Sequence, residues 1–283
     1  MKRRTPSSRT ALLATSAALT LGLALTACGS GSDSGGAGAD GDTLVVGATA
    51  VPAGEVLTYI KDHLAADAGL SLEIREFTDY VVPNTALQEG SLDANLYQNE
   101  PYLNDFNEAK GTDLVPVVDA YLPPMGVYSK QVEDVRELPD GATVAVPNDT
   151  TNEGRALQLL AAQGVITLKP DAGTDASPAD IVDNPKNLTF KELEPAQLPR
   201  SLDDVAAAVI NNNFAQDAGL SPAKDAVLLE SAKDNPYANI LAVKRGNEDD
   251  PQVEKLAKLL SSADVKKFIE DRYQGSVLPV ASG

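Results

Sequence analysis

Apolar positions along this chain follow two periods that take turns. From Thr43 to Ala48 the residues are β-branched and apolar, as a buried strand requires; Val56, Leu57, Ile60 and Leu64 then fall at helical spacing until Gly69 ends the run. Leu70, Leu72 and Ile74 alternate as a half-buried strand does. The pattern continues with a short helix over Pro83–Glu89, a strand over Leu92–Leu96, a helix that opens at Pro101 and stops before Gly111, and a strand over Leu114–Val118. Strand and helix in alternation predict an α/β fold with a mostly parallel sheet at its core.

Between Tyr121 and Lys130 the rhythm breaks at Pro123, Pro124 and Gly126 and resumes as the extended run Val127-Tyr128-Ser129, which reads as a crossing between two lobes. A second α/β unit follows. It has strands over Thr143–Val146, Thr189–Leu193 and Ala206–Ile210, and a helix over Asn152–Gln163 closed by Gly164. A return crossing is expected at Asn239–Val243. The last helices, with Val253, Leu256, Ala257 and Leu260 on one face and Asp264–Arg272 after them, are expected to pack back on the first lobe. The predicted division is residues 42–125 with 240–283 for one lobe and 126–239 for the other. Two such lobes joined by two strands make a hinged cleft, and its ligand should sit at strand carboxyl ends and helix amino ends. The loops that meet this condition are Thr78–Pro83, Tyr97–Tyr102, Pro147–Arg155 and Asn211–Phe214.

The N-terminal segment obeys a different logic. Lys2, Arg3, Arg4 and Arg9 precede an apolar run from Ala11 to Ala24 that is too short to cross a bilayer, and the run ends at Leu25-Thr26-Ala27-Cys28. This is the pattern of a bacterial lipoprotein signal over residues 1–27. Its thiol, the chain's only one, is placed to accept a diacylglycerol group, and cleavage before Cys28 would leave a lipidated first residue. With about 0.8 kcal/mol per buried methylene, such an anchor holds to a membrane. From Gly29 to Gly41 nine residues are Gly or Ser, so residues 28–41 are expected to be a flexible tether of ~20 Å reach. The protein is therefore expected on the extracytoplasmic face of a cell membrane.

Composition then removes function classes. The chain holds 41 acidic against 23 basic residues, for a formal charge of −18, and loss of the signal would make it more negative. Nucleic acid and anionic lipid surfaces would repel it. A small zwitterion would not be repelled, because a local arginine outweighs a distant screened field. His63 is the only histidine and lies among Lys61, Asp62 and Asp67, on the solvent side of its helix. No Ser-His-Asp, Cys-His or zinc set can be assembled, no phosphate-loop motif occurs, and nothing singles out a carboxylate pair. The chain reads as a binding protein, with no enzyme activity and no cofactor expected. A lipoprotein that binds a partner protein and carries no solute is the other class the composition allows.

Four stretches sharpen this reading: Phe77-Thr78-Asp79-Tyr80-Val81-Val82-Pro83-Asn84, Asp93 to Leu103 (DANLYQNEPYL), Val146 to Arg155 (VPNDTTNEGR) and Leu193 to Asp204 (LEPAQLPRSLDD). In this order they resemble the NlpA/MetQ family of methionine-binding lipoproteins, over about Val45 to Arg272. The resemblance implies a type II-like, two-lobed periplasmic-binding-protein fold with two crossover strands. It also implies capture of methionine and its delivery, by a monomer, to an ABC importer made of a membrane permease and a cytoplasmic ATPase.

Within that resemblance, residue chemistry proposes roles. Arg155, in the first turn of its helix, suits a ligand carboxylate held by two parallel hydrogen bonds, with a surface ion pair to Glu153 or another acid as the alternative. Asn152 and Asn211 are amides that can serve ammonium or carboxylate without adding charge, Asn152 being also a candidate helix cap. Asn211 matches an asparagine that binds ligand in the family; Asn212 and Asn213 are candidate turn formers, and one of the three is expected to serve only the turn. Tyr80 and Tyr97 are aromatic walls for a thioether, and Tyr102 is a third wall or a packing residue. Asn99 stands where many members carry histidine, so the ligand remains open among L-methionine, D-methionine, a methionine-containing dipeptide and a derivative.

Overall fold

Two sheets, each with helices against it, follow from the alternation just described. The computed structural model describes residues 43–280; the expectations for the signal over 1–27, for Cys28 and for the tether over 28–41 lie outside those residues. In the first lobe Leu44–Thr49 pairs in parallel with Leu72–Phe77 and with Ala94–Asn99, and helices Glu55–His63 and Val82–Gln88 make the connections. Val46 stands opposite both Ile74 and Ala94. Strand Ala94–Asn99 is buried at every position although Asn95 and Gln98 are polar, because those amides bond to each other and to Asn84.

The sheet is mixed rather than mostly parallel. Leu114–Leu122 leaves the lobe and Asn239–Lys244 re-enters it between Leu114–Leu122 and Ala94–Asn99, antiparallel to both, while Leu278–Pro279 closes the far edge. Asn239–Val243, expected as a crossing, is thus an interior strand. The return link consists of residues 230–238, a segment of turns and irregular backbone without apolar period. A buried apolar run looks the same whether it spans two lobes or lies inside one.

The second sheet runs Leu228–Leu229, Gly126–Tyr128, Ala207–Ile210, Thr143–Pro147, Thr189–Leu193, with parallel pairing only among the last three. Helix Thr150–Ala162 packs on it through Ala156, Leu157 and Leu160. Asp149 starts that helix by accepting the Asn152 backbone N–H at 3.0 Å. Gly154 is required there, since a Cβ would collide with the backbone of Thr174. Helices Pro251–Leu260 and Ala263–Tyr273 bury Val253, Leu256, Val265 and Ile269 in the first lobe's core. Among the described residues no helix is long and apolar enough to cross a membrane.

Candidate functional site

The carboxyl ends of strands from both sheets meet at one cavity. Tyr80, Tyr97, Asn99 and Tyr102 reach it from the first lobe and Asn152, Arg155 and Asn211 from the second, so all seven residues singled out in the sequence line a single hollow. Gln98, Asn212, Asn213, Asn239, Pro52 and Pro123 complete the lining and were not singled out for it. His63 is far from this role, exposed on its helix with its ring 4.9 Å from that of Tyr59.

The first lobe's face is aromatic and internally bonded. Tyr80, Tyr97 and Tyr102 stand 5.8–6.3 Å apart by ring centroid, and Phe214 of the second lobe comes to 5.1 Å from Tyr80. The Tyr97 and Tyr102 hydroxyls both donate to the Tyr80 carbonyl, at 2.7 and 3.0 Å. The Tyr80 hydroxyl reaches across the cleft and donates to Asn213 Oδ1 at 2.5 Å. Burial raises the ionisation of all three phenols well above the ordinary range, so they remain neutral donors. Asn99 caps helix Glu100–Lys110, its Oδ1 accepting the Tyr102 backbone N–H at 3.0 Å. Its side-chain acceptor therefore holds Tyr102 in place. The neighbouring Gln98 is locked with Asn84 and Asn95 in a buried amide cluster at 2.6–2.9 Å.

Arg155 is engaged within the protein. The two parallel hydrogen bonds foreseen for a ligand carboxylate go to Glu230, Nε to Oε1 at 2.8 Å and Nη2 to Oε2 at 2.5 Å, and Nη2 also donates to the Pro123 carbonyl at 3.1 Å. Of the ion-pair alternative, Glu153 or another acid at the surface, it is another acid that pairs, and the pair is buried. The Tyr237 ring lies 4.3 Å from the guanidinium carbon. Both ionic side chains are nearly closed off from solvent, at 3% and 11% exposure. Burial pushes the Glu230 carboxyl up, but the charge and hydrogen bonds of Arg155, helped by the Met125 N–H at 3.1 Å, outweigh it and leave it below its ordinary value. Of the guanidinium nitrogens, Nη1 makes no hydrogen bond to a described residue.

Amides supply the remaining polarity. Asn211 Nδ2 donates to Asn152 Oδ1 at 2.8 Å, and Asn152 Nδ2 in turn donates to Asp149 Oδ1 at 2.8 Å. Asn152 lies inside the helix, one turn past its cap. Asn211 Oδ1 and Asn213 Nδ2 are buried without a partner among the described residues. An unmet buried group costs about 1–3 kcal/mol, so an acceptor and a donor are held ready at the cavity wall. Asn212 turns away from ligand duty, donating to the carbonyls of Pro124 at 3.1 Å and Ser276 at 2.6 Å.

Comparison with known proteins places this architecture in a lineage. The family model described as NlpA lipoprotein matches residues 44–281. The D-methionine-binding lipoprotein MetQ of Escherichia coli (strain K12) is 40% identical over 263 residues, covering 92% of this chain and 94% of that protein. The methionine-binding lipoprotein MetQ of Bacillus subtilis (strain 168) is 40% identical over 242 residues, covering 84% of this chain and 88% of that one. A solved nutrient-binding protein from Burkholderia cenocepacia, bound to methionine, superposes with a TM-score of 0.81 at 46% identity, over 84% of this chain and 100% of that one. By sequence and by fold, the chain belongs to the NlpA lipoprotein family.

Proposed function

We propose that the protein is the solute-binding component of an ABC importer: it closes its two lobes on methionine and hands it to a membrane permease driven by a cytoplasmic ATPase. The observation that carries this is the juxtaposition in one cavity of three neutral tyrosines with Arg155, Asn211 and Asn213, the two amides each keeping one buried atom without a partner among the described residues. In this reading the ligand carboxylate meets Arg155 Nη1, the ammonium donates to Asn211 Oδ1, and Asn213 completes the polar set. Tyr80, Tyr97 and Tyr102 surround the thioether, whose contacts with aromatic rings are worth ~0.3–1.5 kcal/mol each. Asn152 steadies Asn211, and Asn99 steadies Tyr102. The magnitudes are compatible: about nine non-hydrogen atoms at a ceiling of ~1.5 kcal/mol each can supply the ~8–12 kcal/mol of a micromolar to nanomolar complex, provided enclosure is nearly complete.

The protein works as a lipid-anchored monomer on the extracytoplasmic face, tied through Cys28 and a Gly/Ser tether, and performs no catalysis. Isothermal calorimetry and thermal unfolding with L-methionine, D-methionine, glycyl-methionine and other amino acids test the reading. A methionine-class ligand at a thousandfold excess over its dissociation constant should stabilise the fold by about 4 kcal/mol. No heat and no thermal shift across the panel would remove the proposal. Mass spectrometry of the membrane fraction checks diacylglycerol on Cys28.

A further inference from the structure

Among the described residues, Arg155 is the only charged side chain that lines the cavity, and its forked edge is consumed by Glu230. An arginine offering that fork to the cleft would grip any carboxylate of suitable size. Here the fork is closed by a carboxylate held by the Met125 N–H in one lobe connection, while Glu230 itself belongs to the other. The one guanidinium nitrogen without a hydrogen bond to a described residue is Nη1.

Resting on the reading of the cleft given above, we propose that Glu230 is a specificity-determining and positioning residue, which cancels the charge of Arg155 and presents only its Nη1 edge, so that the site takes a net-neutral zwitterion and rejects an anion of the same shape. Among the described residues every other lining group is an amide, a phenol or a proline, and no second cation among them restores attraction for an anion. Asp149 lies behind Asn152 and outside the lining, its Oδ1 accepting from Asn152 Nδ2 at 2.8 Å. A zwitterion brings its own compensating ammonium to the free Asn211 Oδ1; a simple carboxylate leaves that acceptor unmet and meets the field of Glu230.

The experiment uses calorimetry with three ligands of one skeleton: L-methionine, its desamino analogue (a thioether butanoate) and its decarboxylated amine. Wild type, Glu230→Gln and the charge-conserving Glu230→Asp are compared. In Glu230→Gln the preference for methionine over the desamino anion should fall tenfold or more, and in Glu230→Asp by less than that. A purely structural role would weaken both ligands alike and leave the ratio intact, and a fall of less than tenfold in Glu230→Gln overturns the proposal. Should that variant not fold, the wild type decides alone: the anion should bind no more than tenfold tighter than the amine, and a larger preference means that Arg155 acts as an uncancelled cation. Wild-type protein without any methionine heat would instead count against the proposed function, so the two failures are distinct.

Discussion

The two faces of the cleft solve opposite problems. In the first lobe two tyrosine hydroxyls meet on the Tyr80 carbonyl, only the Tyr80 hydroxyl crosses to Asn213 of the second lobe, and the cavity is offered mainly rings. The second lobe leaves hydrogen-bonding capacity unspent at Asn211 Oδ1 and Asn213 Nδ2 and holds a guanidinium whose Nη1 is unpaired among the described residues. One wall is finished by folding, whereas the other is completed by what enters. Affinity should therefore be more sensitive to polar changes in the second lobe than to loss of a hydroxyl in the first.

Removing Arg155 should have the largest effect. Arg155→Ala leaves Glu230 buried without its partner, so denaturant unfolding should show a loss of ~3–5 kcal/mol of stability together with loss of methionine binding. Next comes Asn211→Ala, which removes the free acceptor and the bond to Asn152. Calorimetry should give a binding loss of more than ~1.5 kcal/mol, with a much smaller change in unfolding than for Arg155→Ala. Tyr97→Phe deletes one of two donors to the Tyr80 carbonyl and keeps the ring, so binding should weaken by ~0.5–1.5 kcal/mol. If Tyr97→Phe exceeds Asn211→Ala, the contrast between the faces is wrong.

The smallest effect lies beside the site. Burial, then the charge of Glu192, pushes the Glu153 carboxyl up to about 7 from an ordinary 4.5. The folded protein thus holds this proton more tightly than the unfolded chain. The group's contribution to stability is whole below the ordinary value and lost as pH rises through about 7. Glu153→Gln should accordingly raise the unfolding free energy at pH ~8, seen as a higher Tm, by no more than ~1 kcal/mol once solvent screening is allowed for, and change little at pH ~4.

Much of the architecture was legible in the residues, and the reasons differ by element. The alternation from Thr43 to Val118 marked strands and helices because each buries one face, and the strand carboxyl ends then named the loops that converge on the cavity. Gly111 ends its helix in the left-handed conformation, as expected of a glycine there. Sheet direction was not legible, since it depends on where the returning strand Asn239–Lys244 inserts. Glu230 was invisible for a related reason. It meets Arg155 across 75 positions of sequence, from a segment with no period, and its acidic type matched many others in an acidic chain. Gln98 and Asn239 are polar residues within or at the end of buried strands, and a buried amide at such a place is the one signal that could have named them.

A carbonyl oxygen has two lone pairs, and the oxygen of Tyr80 has both engaged by phenols. The bend that carries Tyr80 is thus buttoned from inside on two sides, and its shape is established before any guest arrives. Arranging that rim draws on the free energy of folding, and little of the ordering is left for the moment of capture. Newcomers of different outline should then be sorted by fit to a stiff rim, not by how far the rim can yield.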